Sequence, residues 1–332
     1  PRRGVPILTS LQVFRFTAMG SPCELKLSSD PALCQQVAAD CQREAARFER
    51  RYSRFTTDSI TAQINASAGG VVVPIDAECR AILEYAGVCW SLSDGLFDIT
   101  SGVLRRVWTK DRLQLPAPDE LRPILALIDW QKVELSEAGV RLGMPGMEID
   151  LGGVVKEYAA DALAQRIGLA GIDSGVVNLG GDIFCVGTNP EGLPWRIGIK
   201  NPDGPGAIAQ VGIANAGLAT SGGYERYFEI GGKRVSHLLN PATGMPVESL
   251  ASVSVIADQS VVAGSIATIA LLKGQADGLD WLRALACDFL AIDASGQCFT
   301  RPGQGLDGIA ASGPDQKFTR LTDNRSIQDA FQ

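Results

Sequence analysis

The chain has 332 residues, of which 45% are hydrophobic and 20% are charged. This composition is typical of soluble globular proteins and excludes disordered, collagen-like and coiled-coil chains. Its 30 basic and 37 acidic side chains give a net charge of −7, so the chain lacks the basic field that would attract nucleic acids or an anionic membrane surface.

The first elements predicted in chain order are two strands and two helices. Residues 13–27 alternate apolar and polar side chains around Met19-Gly20-Ser21, which predicts two strands joined by a tight turn. Apolar residues then recur at helical spacing over residues 31–54, where Asp30 is the predicted N-cap, and again over residues 76–93. These patterns predict two amphipathic helices.

The rest of the chain is predicted to be richer in strands. A proline-rich connection with a short helix at residues 111–129 precedes a predicted helix at residues 155–167. Further strands are predicted at residues 174–178, 183–186, 195–200, 208–214, 227–230 and 253–256, and further helices at residues 264–272 and 280–285. Because strands and helices do not alternate in βαβ order, the pattern predicts an α+β fold with antiparallel or mixed sheets flanked by helices. We expect one two-lobed domain over residues 1–332, with a polar tail at about residues 314–332.

The histidine and cysteine contents exclude several kinds of metal site. His237 is the only histidine, so zinc, copper and non-haem iron sites built from several histidines are impossible. The eight cysteines contain no Cys-x-x-Cys pair, which argues against zinc ribbons, ferredoxin clusters and thioredoxin-type motifs. Most are expected to be buried thiols, a usage that favours the reducing cytoplasm. The longest uncharged apolar run, residues 260–272, is shorter than the roughly 20 residues of a membrane-spanning helix.

Glycine lies beside carboxylate or hydroxyl residues in four motifs. They are Phe97-Asp98-Ile99-Thr100-Ser101-Gly102, Asp150-Leu151-Gly152-Gly153, Asn178-Leu179-Gly180-Gly181-Asp182 and Ala219-Thr220-Ser221-Gly222-Gly223-Tyr224. Backbone N–H groups at glycines can approach phosphate oxygens closely, and the nearby Lys156 adds a cation. The alternative is that the motifs are tight turns stabilised by Asn, Asp and Ser hydrogen bonds. His237 also has two interpretations, a structural residue or a base that takes a proton from a hydroxyl.

The order of these motifs resembles the ApbE family, the FAD:protein FMN transferases. The resemblance spans nearly everything from Phe14 to Gly274. Further blocks that carry it are Met19-Gly20-Ser21, Ser53-Arg54-Phe55, Trp195-Arg196-Ile197-Gly198-Ile199 and His237-Leu238-Leu239-Asn240-Pro241. Members of the family split FAD, release AMP and use magnesium to attach FMN through a phosphoester to a threonine or serine of a target flavoprotein. The resemblance therefore implies an ApbE-like fold, FAD as the substrate, Mg²⁺ as the metal and a flavoprotein as the partner.

The resemblance also implies roles for individual residues. Met19 would lie against the isoalloxazine ring, and Phe55 would face the adenine. His237 would be the catalytic base, while the backbone oxygen of Val155 and the hydroxyl of Thr268 would bind the metal. The other residues implied in the FAD pocket are Phe97, Asp98, Lys156, Asp182, Thr220, Ser221 and Gly222. The family resemblance places the protein on the periplasmic side of a bacterial membrane, whereas its cysteine usage favours the cytoplasm.

Three positions depart from the family pattern. Gly264 stands where the family has a metal-binding aspartate, Glu157 where it prefers glycine, and Asn240 where it has an aspartate before proline. We interpret Glu157 as a solvated residue in the first turn of its helix; alternatively, it points into the pocket and supplies a replacement carboxylate. The departures leave two alternatives to a transferase: a non-catalytic FAD-binding or accessory protein that has lost the magnesium ligand, and a pyrophosphatase that splits FAD into FMN and AMP.

Overall fold

Seven α-helices and sixteen β-strands lie in the part of the chain that the computed structural model describes, residues 10–109, 111–202, 204–223, 227–247, 250–285 and 287–301 with the backbone of 311–312 and 317–318. Helices α1 to α7 are Pro31–Tyr52, Ile60–Ala66, Ala77–Leu92, Pro118–Leu125, Val155–Leu169, Ser260–Leu272 and Gln275–Ala284. Strands β1 to β8 are Ser10–Ala18, Ser21–Ser29, Val133–Ser136, Gly139–Leu142, Gly175–Leu179, Asp182–Val186, Trp195–Lys200 and Ala207–Ile213. Strands β9 to β16 are Ala216–Gly222, Tyr227–Ile230, Lys233–Ser236, Ser252–Ala257, Asp288–Ile292, Cys298–Thr300, Ala311–Ser312 and Lys317–Phe318. Two 3₁₀ helices, Ile99–Arg106 and Trp130–Lys132, are also present, and the predicted polar tail lies outside the described residues apart from β16.

Eight of these strands form one sheet in the order β1-β2-β5-β6-β9-β12-β13-β14. Each neighbouring pair in it is antiparallel. The remaining described strands form the separate ribbons β3-β4, β7-β8, β10-β11 and β15-β16. The predicted α+β class is therefore confirmed, and its main sheet is antiparallel. The two-lobed, single-domain organisation stays a prediction.

The main sheet is covered on both faces. Helices α1, α5 and α6 pack along one face, on β1 and β2, on β5 and β6, and on β9 and β12 respectively. The other face carries the β7-β8 ribbon, because Val176 and Ile183 belong to the same buried cluster as Ile199 and Val211. The neighbouring Val177 packs into the helix-side core instead, as the two-residue period of a strand requires. Because the strands of the main sheet that follow β2 are covered on both faces, they are largely apolar.

The N-termini of α1 and α3 are confirmed where the sequence predicts them, because each helix carries its own cap. The Asp30 carboxylate accepts hydrogen bonds from the backbone N–H groups of Ala32 and Leu33, at 3.0 and 3.1 Å. Asp76 caps α3 in the same way through Cys79 N–H, at 3.0 Å. Such carboxylate caps satisfy N–H groups that have no partner inside the helix.

Helix α6 begins at Ser260, four residues earlier than predicted. Its cap comes from another helix, since the Asp161 carboxylate on α5 accepts hydrogen bonds from the N–H groups of Ser260 and Val261 at 2.7 and 3.0 Å. A cap supplied from about a hundred residues away leaves no local signal in the sequence. The predicted start at residue 264 was therefore wrong, because a tertiary contact with α5 determines where α6 begins.

The interpretation of Ala219 to Gly222 as part of a tight turn was also wrong, because these residues end strand β9. This strand pairs with β6 on one side and with β12 on the other. Glycine, serine and alanine have little intrinsic preference for strands, so pairing on both sides sets the conformation. Strands β13 and β14 and helix α2 were not predicted either.

The eight cysteines are all thiols, and six of them are buried. Burial raises the pKa of Cys41 and of Cys185 to about 12, so both are protonated and unreactive at neutral pH. The prediction of buried thiols is confirmed. Across the described residues, no helix is both long enough and apolar enough to cross a membrane.

Candidate active site

Two glycine-containing hairpin turns lie side by side at one end of the main sheet. The β1-β2 turn consists of Met19 and Gly20, with φ of +50° and +67°, and the β5-β6 turn consists of Gly180 and Gly181. Because β2 pairs with β5, a Cβ atom at Gly180 would lie only 2.6 Å from the Cβ atom of Ser21. Glycine is therefore required at position 180 for the two turns to approach each other. Methionine is unusual in a left-handed conformation, which marks position 19 as a candidate functional residue.

Lys156, in the first turn of α5, contacts the β5-β6 turn through an ion pair. Its Nζ atom lies 2.7 Å from Oδ2 of Asp182, whose side chain is 4% exposed. The same ammonium group also donates a hydrogen bond to the carbonyl oxygen of Gly180, at 3.5 Å. The Asn178 to Asp182 motif thus surrounds one half-buried cation, and Ser21 of the β1-β2 turn lies against its Gly180.

The Asp150-Leu151-Gly152-Gly153 turn is linked to an exposed aromatic ring through Arg54. Asp150 accepts a hydrogen bond from the N–H of Gly152 at 3.0 Å and forms an ion pair of 2.6 Å with Arg54. The next residue, Phe55, is 80% exposed. Its ring centre lies 5.0 and 5.8 Å from the guanidinium carbons of Arg54 and Arg105. An exposed ring held by two guanidinium groups can stack on a planar ligand.

Phe97 and Asp98, both predicted in the FAD pocket, are buried. The Cζ atom of Phe97 lies 3.4 Å from the position of a Cβ atom at Gly153, so its ring underlies the glycine turn. Asp98 instead caps a 3₁₀ helix. Its Oδ1 atom accepts hydrogen bonds from the N–H and hydroxyl of Thr100 at 2.8 and 2.6 Å, and its Oδ2 atom accepts one from the N–H of Trp130 at 3.1 Å. Burial raises the pKa of Asp98, and its contact with FAD stays a prediction.

At the end of β9, Thr220 and Ser221 face opposite sides of the sheet. The Ser221 hydroxyl lies 2.8 Å from the hydroxyl of Thr268 on α6. Thr220 forms its 2.8 Å hydroxyl contact with Ser254 on β12. The structure therefore brings the Ser221 hydroxyl together with Thr268, a predicted metal ligand. The Thr220 hydroxyl lies on the other face of the sheet, away from these two hydroxyls. Gly222 closes the strand, and Tyr224 lies outside the described residues.

Glu157 is buried, so its interpretation as a solvated residue was wrong. It is 7% exposed, because the first turn of α5 lies beneath α6. Its side chain fills the space beside Gly264, where a Cβ atom would lie 2.7 Å from Cγ and 2.9 Å from Oε1 of Glu157. The Oε2 atom has no hydrogen-bond partner among the described residues. Burial raises the pKa of Glu157, and the Asp182 carboxylate raises it further.

His237 and Asn240 lie in the segment that follows β11. The preceding residue, Ser236, accepts a hydrogen bond from Leu238 N–H at 3.1 Å and lies beside Gly223, just after β9. His237 is half-buried at this point. The Asn240 Oδ1 atom accepts hydrogen bonds from two backbone N–H groups of the following turn, at 2.8 and 3.3 Å. Asn240 therefore stabilises a turn, as an aspartate would in the same place.

The oxygen donors beside α5 and α6 fit magnesium better than a transition metal. No three His, Cys, Asp or Glu side chains converge to hold a metal anywhere in the described ranges. The Glu157 carboxylate lies against Gly264, Thr268 is one helical turn further along α6, and Val155 begins α5. Magnesium binds through one or two carboxylates completed by other oxygens, waters and substrate phosphates. The orphaned carboxylate oxygen of Glu157 and the hydroxyl of Thr268 are donors of this kind.

Comparison with known proteins places these motifs in a family. Residues 19–291 match the ApbE family. The chain is 34% identical over 258 residues to the FAD:protein FMN transferase of Treponema pallidum, covering 71% of this chain and 70% of that protein. It is also 34% identical over 260 residues to the enzyme of that name from Klebsiella pneumoniae, covering 75% and 79%.

Solved structures agree with this assignment. The crystal structure of an ApbE protein from Thermotoga maritima superposes with a TM-score of 0.82 at 26% identity and covers 88% of this chain and 97% of that chain. The flavin transferase ApbE of Vibrio cholerae, at 22% identity and a TM-score of 0.78, shares the fold over 88% of this chain and 98% of its own. On the matched motifs, the sequence identity and the fold, the chain belongs to the ApbE family.

Proposed function

We propose that this protein is an FAD:protein FMN transferase, which splits FAD, releases AMP and attaches FMN through a phosphoester to a threonine or serine of a target flavoprotein. The observation that carries the proposal is the convergence of the Lys156–Asp182 ion pair with the glycine turn at Gly180. This arrangement occurs in a chain whose relatives bear that enzyme name. A pyrophosphate needs such a cation, whereas the N–H groups of Gly180 and Gly181 are already hydrogen-bonded to Pro22 and Asn178.

The reaction requires one bond to form and one to break at the FMN phosphorus. The acceptor hydroxyl oxygen attacks this phosphorus, and AMP leaves with the oxygen that bridged the two phosphates. The hydroxyl proton must pass to a base, for which we propose His237. His237 is half-buried and follows Ser236, which lies beside Gly223 just after β9. This position suits a base that works next to the Ser221 and Gly222 end of the pocket.

The two ring systems of FAD are assigned to two separate residues of the site, Met19 and Phe55. Met19, held at the tip of the β1-β2 turn, would contact the isoalloxazine ring. Phe55, exposed beside Arg54 and Arg105, would stack on the adenine. Phe97 lies beneath the Asp150 turn and would support the pyrophosphate region from below.

Magnesium would be held by oxygen atoms of α5 and α6, among them the backbone oxygen of Val155 and the hydroxyl of Thr268. When bound, it would supply positive charge to the pyrophosphate oxygens on which negative charge develops. The 2.8 Å contact between the Ser221 and Thr268 hydroxyls supports this proposal, because it holds the Thr268 side chain in place. A non-catalytic role was suggested by the glycine at position 264, but a buried carboxylate, that of Glu157, fills the same space.

A transfer assay tests the proposed function. The purified full chain is incubated with FAD and Mg²⁺ and with a threonine-bearing flavoprotein domain that an active ApbE relative modifies. AMP is measured by chromatography and covalent flavin by in-gel fluorescence, with a Thr→Val acceptor and EDTA as controls. Equal amounts of AMP and covalent FMN are expected. AMP with free FMN only would indicate a pyrophosphatase, and intact bound FAD would indicate an accessory protein.

A variant at the proposed base tests the mechanism separately. His237→Ala should reduce covalent transfer by about 100-fold or more while FAD binding, followed by quenching of flavin fluorescence, stays unchanged. Equal loss of FAD affinity and transfer would instead give His237 a binding role. We also propose an exported or membrane-bound flavoprotein as the natural acceptor; fractionation of the producing cells tests the compartment.

A further inference from the structure

We propose that Glu157 is a divalent-cation ligand whose carboxylate enters the site from α5, through space that Gly264 leaves open on α6. The inference rests on the proposed function, since the cation would act on the pyrophosphate of FAD. It assigns a ligand role to Glu157, which the sequence analysis interpreted as a solvent-exposed residue.

The first support is the shape of the contact between α5 and α6. Gly264 is buried, and a Cβ atom there would lie 2.7 Å from Cγ and 3.1 Å from Cδ of Glu157. Real side chains do not approach this closely, so any residue larger than glycine at 264 would displace the glutamate. The two positions are therefore complementary: the carboxylate is present on one helix because the side chain is missing on the other.

The second support is the unsatisfied carboxylate itself. Glu157 is 7% exposed and its Oε2 atom has no hydrogen-bond partner among the described residues. The close ion pair of Lys156 is made with Asp182, at 2.7 Å, rather than with Glu157. Leaving a buried carboxylate oxygen without a partner is costly. A bound cation would remove that cost and would also offset the charge of the neighbouring Asp182.

The third support is the position of the neighbouring oxygen atoms. Thr268 lies four residues after Gly264, which puts it on the same face of α6. Its hydroxyl is fixed by Ser221 at 2.8 Å. Glu157 itself lies two residues after Val155 at the start of α5. Carboxylate, hydroxyl and backbone oxygens are the donors of a hard cation such as Mg²⁺.

Metal binding to the purified full chain tests the inference without reliance on turnover. Mn²⁺ is the probe, measured by water-proton relaxation, which increases when the ion is immobilised on a protein. It is titrated alone and with ADP, which carries a pyrophosphate but no FMN to transfer. Glu157→Gln keeps the shape of the side chain and should raise the Kd for Mn²⁺ by about 10-fold or more. Glu44→Gln is the matched control, because Glu44 is paired with Arg47 and Arg166, and it should bind like the original protein.

A double variant tests whether the carboxylate can change helices. In E157A/G264D the clash at position 264 is relieved, because alanine has no Cγ, and an aspartate on α6 can reach the same space. We expect it to recover most of the Mn²⁺ affinity that E157A loses. Wild-type affinity in Glu157→Gln, or no Mn²⁺ binding by the original protein with or without ADP, would overturn the inference.

The same samples separate this inference from the proposed function. If the original protein releases AMP only with a divalent metal and Glu157→Gln shows the same metal dependence, the inference fails and the transferase function stands. If Mn²⁺ binding depends on Glu157 but no AMP or covalent FMN is formed, the ligand role stands and the transferase proposal fails.

Discussion

Two carboxylates on α5 face α6 one helical turn apart, yet the structure treats them differently. Asp161 is half-buried and accepts hydrogen bonds from the first two N–H groups of α6, at 2.7 and 3.0 Å. Glu157 is more deeply buried and has an oxygen with no partner among the described residues. The comparison shows that hydrogen-bond partners, in addition to burial, separate the two carboxylates. Satisfied oxygens stabilise the fold, whereas an orphaned oxygen is available to a ligand.

The largest expected effect comes from removing each carboxylate in turn. Asp161→Ala leaves two N–H groups of α6 without a partner and should lower the free energy of unfolding by about 2 to 3 kcal/mol. Glu157→Ala should change it by less than about 1 kcal/mol, because the loss of an unsatisfied carboxylate offsets the cavity it leaves. Urea denaturation followed by circular dichroism measures both. Similar losses for the two variants would contradict the distinction.

A smaller effect is expected where α6 rests on the sheet. A Cβ atom at Gly217 in β9 would lie 2.3 Å from the backbone nitrogen of Ser260, so Gly217→Ala should push the capped end of α6 away and cost about 2 kcal/mol. Gly168→Ala is the control, since no atom lies within 4 Å of its Cβ position in α5, and it should stabilise by about 0.5 kcal/mol. Thermal unfolding of both variants checks the sign. Equal effects would mean that α6 is not held closely on β9.

Phe55 extends the comparison to a candidate functional residue that is not expected to stabilise the fold. Because its ring is 80% exposed, Phe55→Ala should leave the free energy of unfolding within about 0.5 kcal/mol. Loss of stacking should raise the KM for FAD by about 3- to 10-fold without changing kcat. Steady-state AMP release at several FAD concentrations separates the two constants. A fall in kcat at unchanged KM would place the adenine elsewhere.

The smallest expected effect is on the pH dependence of stability, and it comes from Glu44, a carboxylate paired with two arginines. Hydrogen bonds from Arg47 and Arg166 hold the pKa of Glu44 below its usual 4.5. A lowered folded-state pKa gives stability that is present above about pH 4.5 and is lost as the pH falls through the folded value. The contribution should be less than about 1 kcal/mol, and Glu44→Gln should remove it. Unfolding between pH 3 and 7 measures the difference; an unchanged slope would show that the pairing contributes nothing.

The sequence predicts those elements whose signals are local. Asp30 and Asp76 precede the helices that they cap, and residues 195–200 and 227–230 are strands with the predicted bounds. Elements that depend on distant partners were missed or misplaced. The cap of α6 comes from Asp161, and β9 is a strand because β6 and β12 pair with it.

The candidate site was predictable as a set of motifs but not as an arrangement. Order along the chain brought Met19, Lys156 and Asp182 into one hypothesis, and the structure places their motifs together. The orientation of Glu157 could not be deduced, because a first-turn glutamate is usually solvated. One signal could have revealed this orientation: relative to the family pattern, position 157 gains a carboxylate side chain and position 264 loses one. Only contact between α5 and α6 turns that coincidence into a physical relation.

The order of the strands in the main sheet has a consequence for how the protein is made. Along the sheet, β1, β2, β5, β6, β9, β12, β13 and β14 follow one another as they do in the chain. The ribbons β3-β4, β7-β8 and β10-β11 branch off between them and close locally. Each strand that leaves the ribosome therefore finds its neighbour already synthesised. Assembly can advance in one direction, from the edge strand β1 toward β14. Because β14 is only three residues long, the edge that is formed last leaves little room for another chain to join.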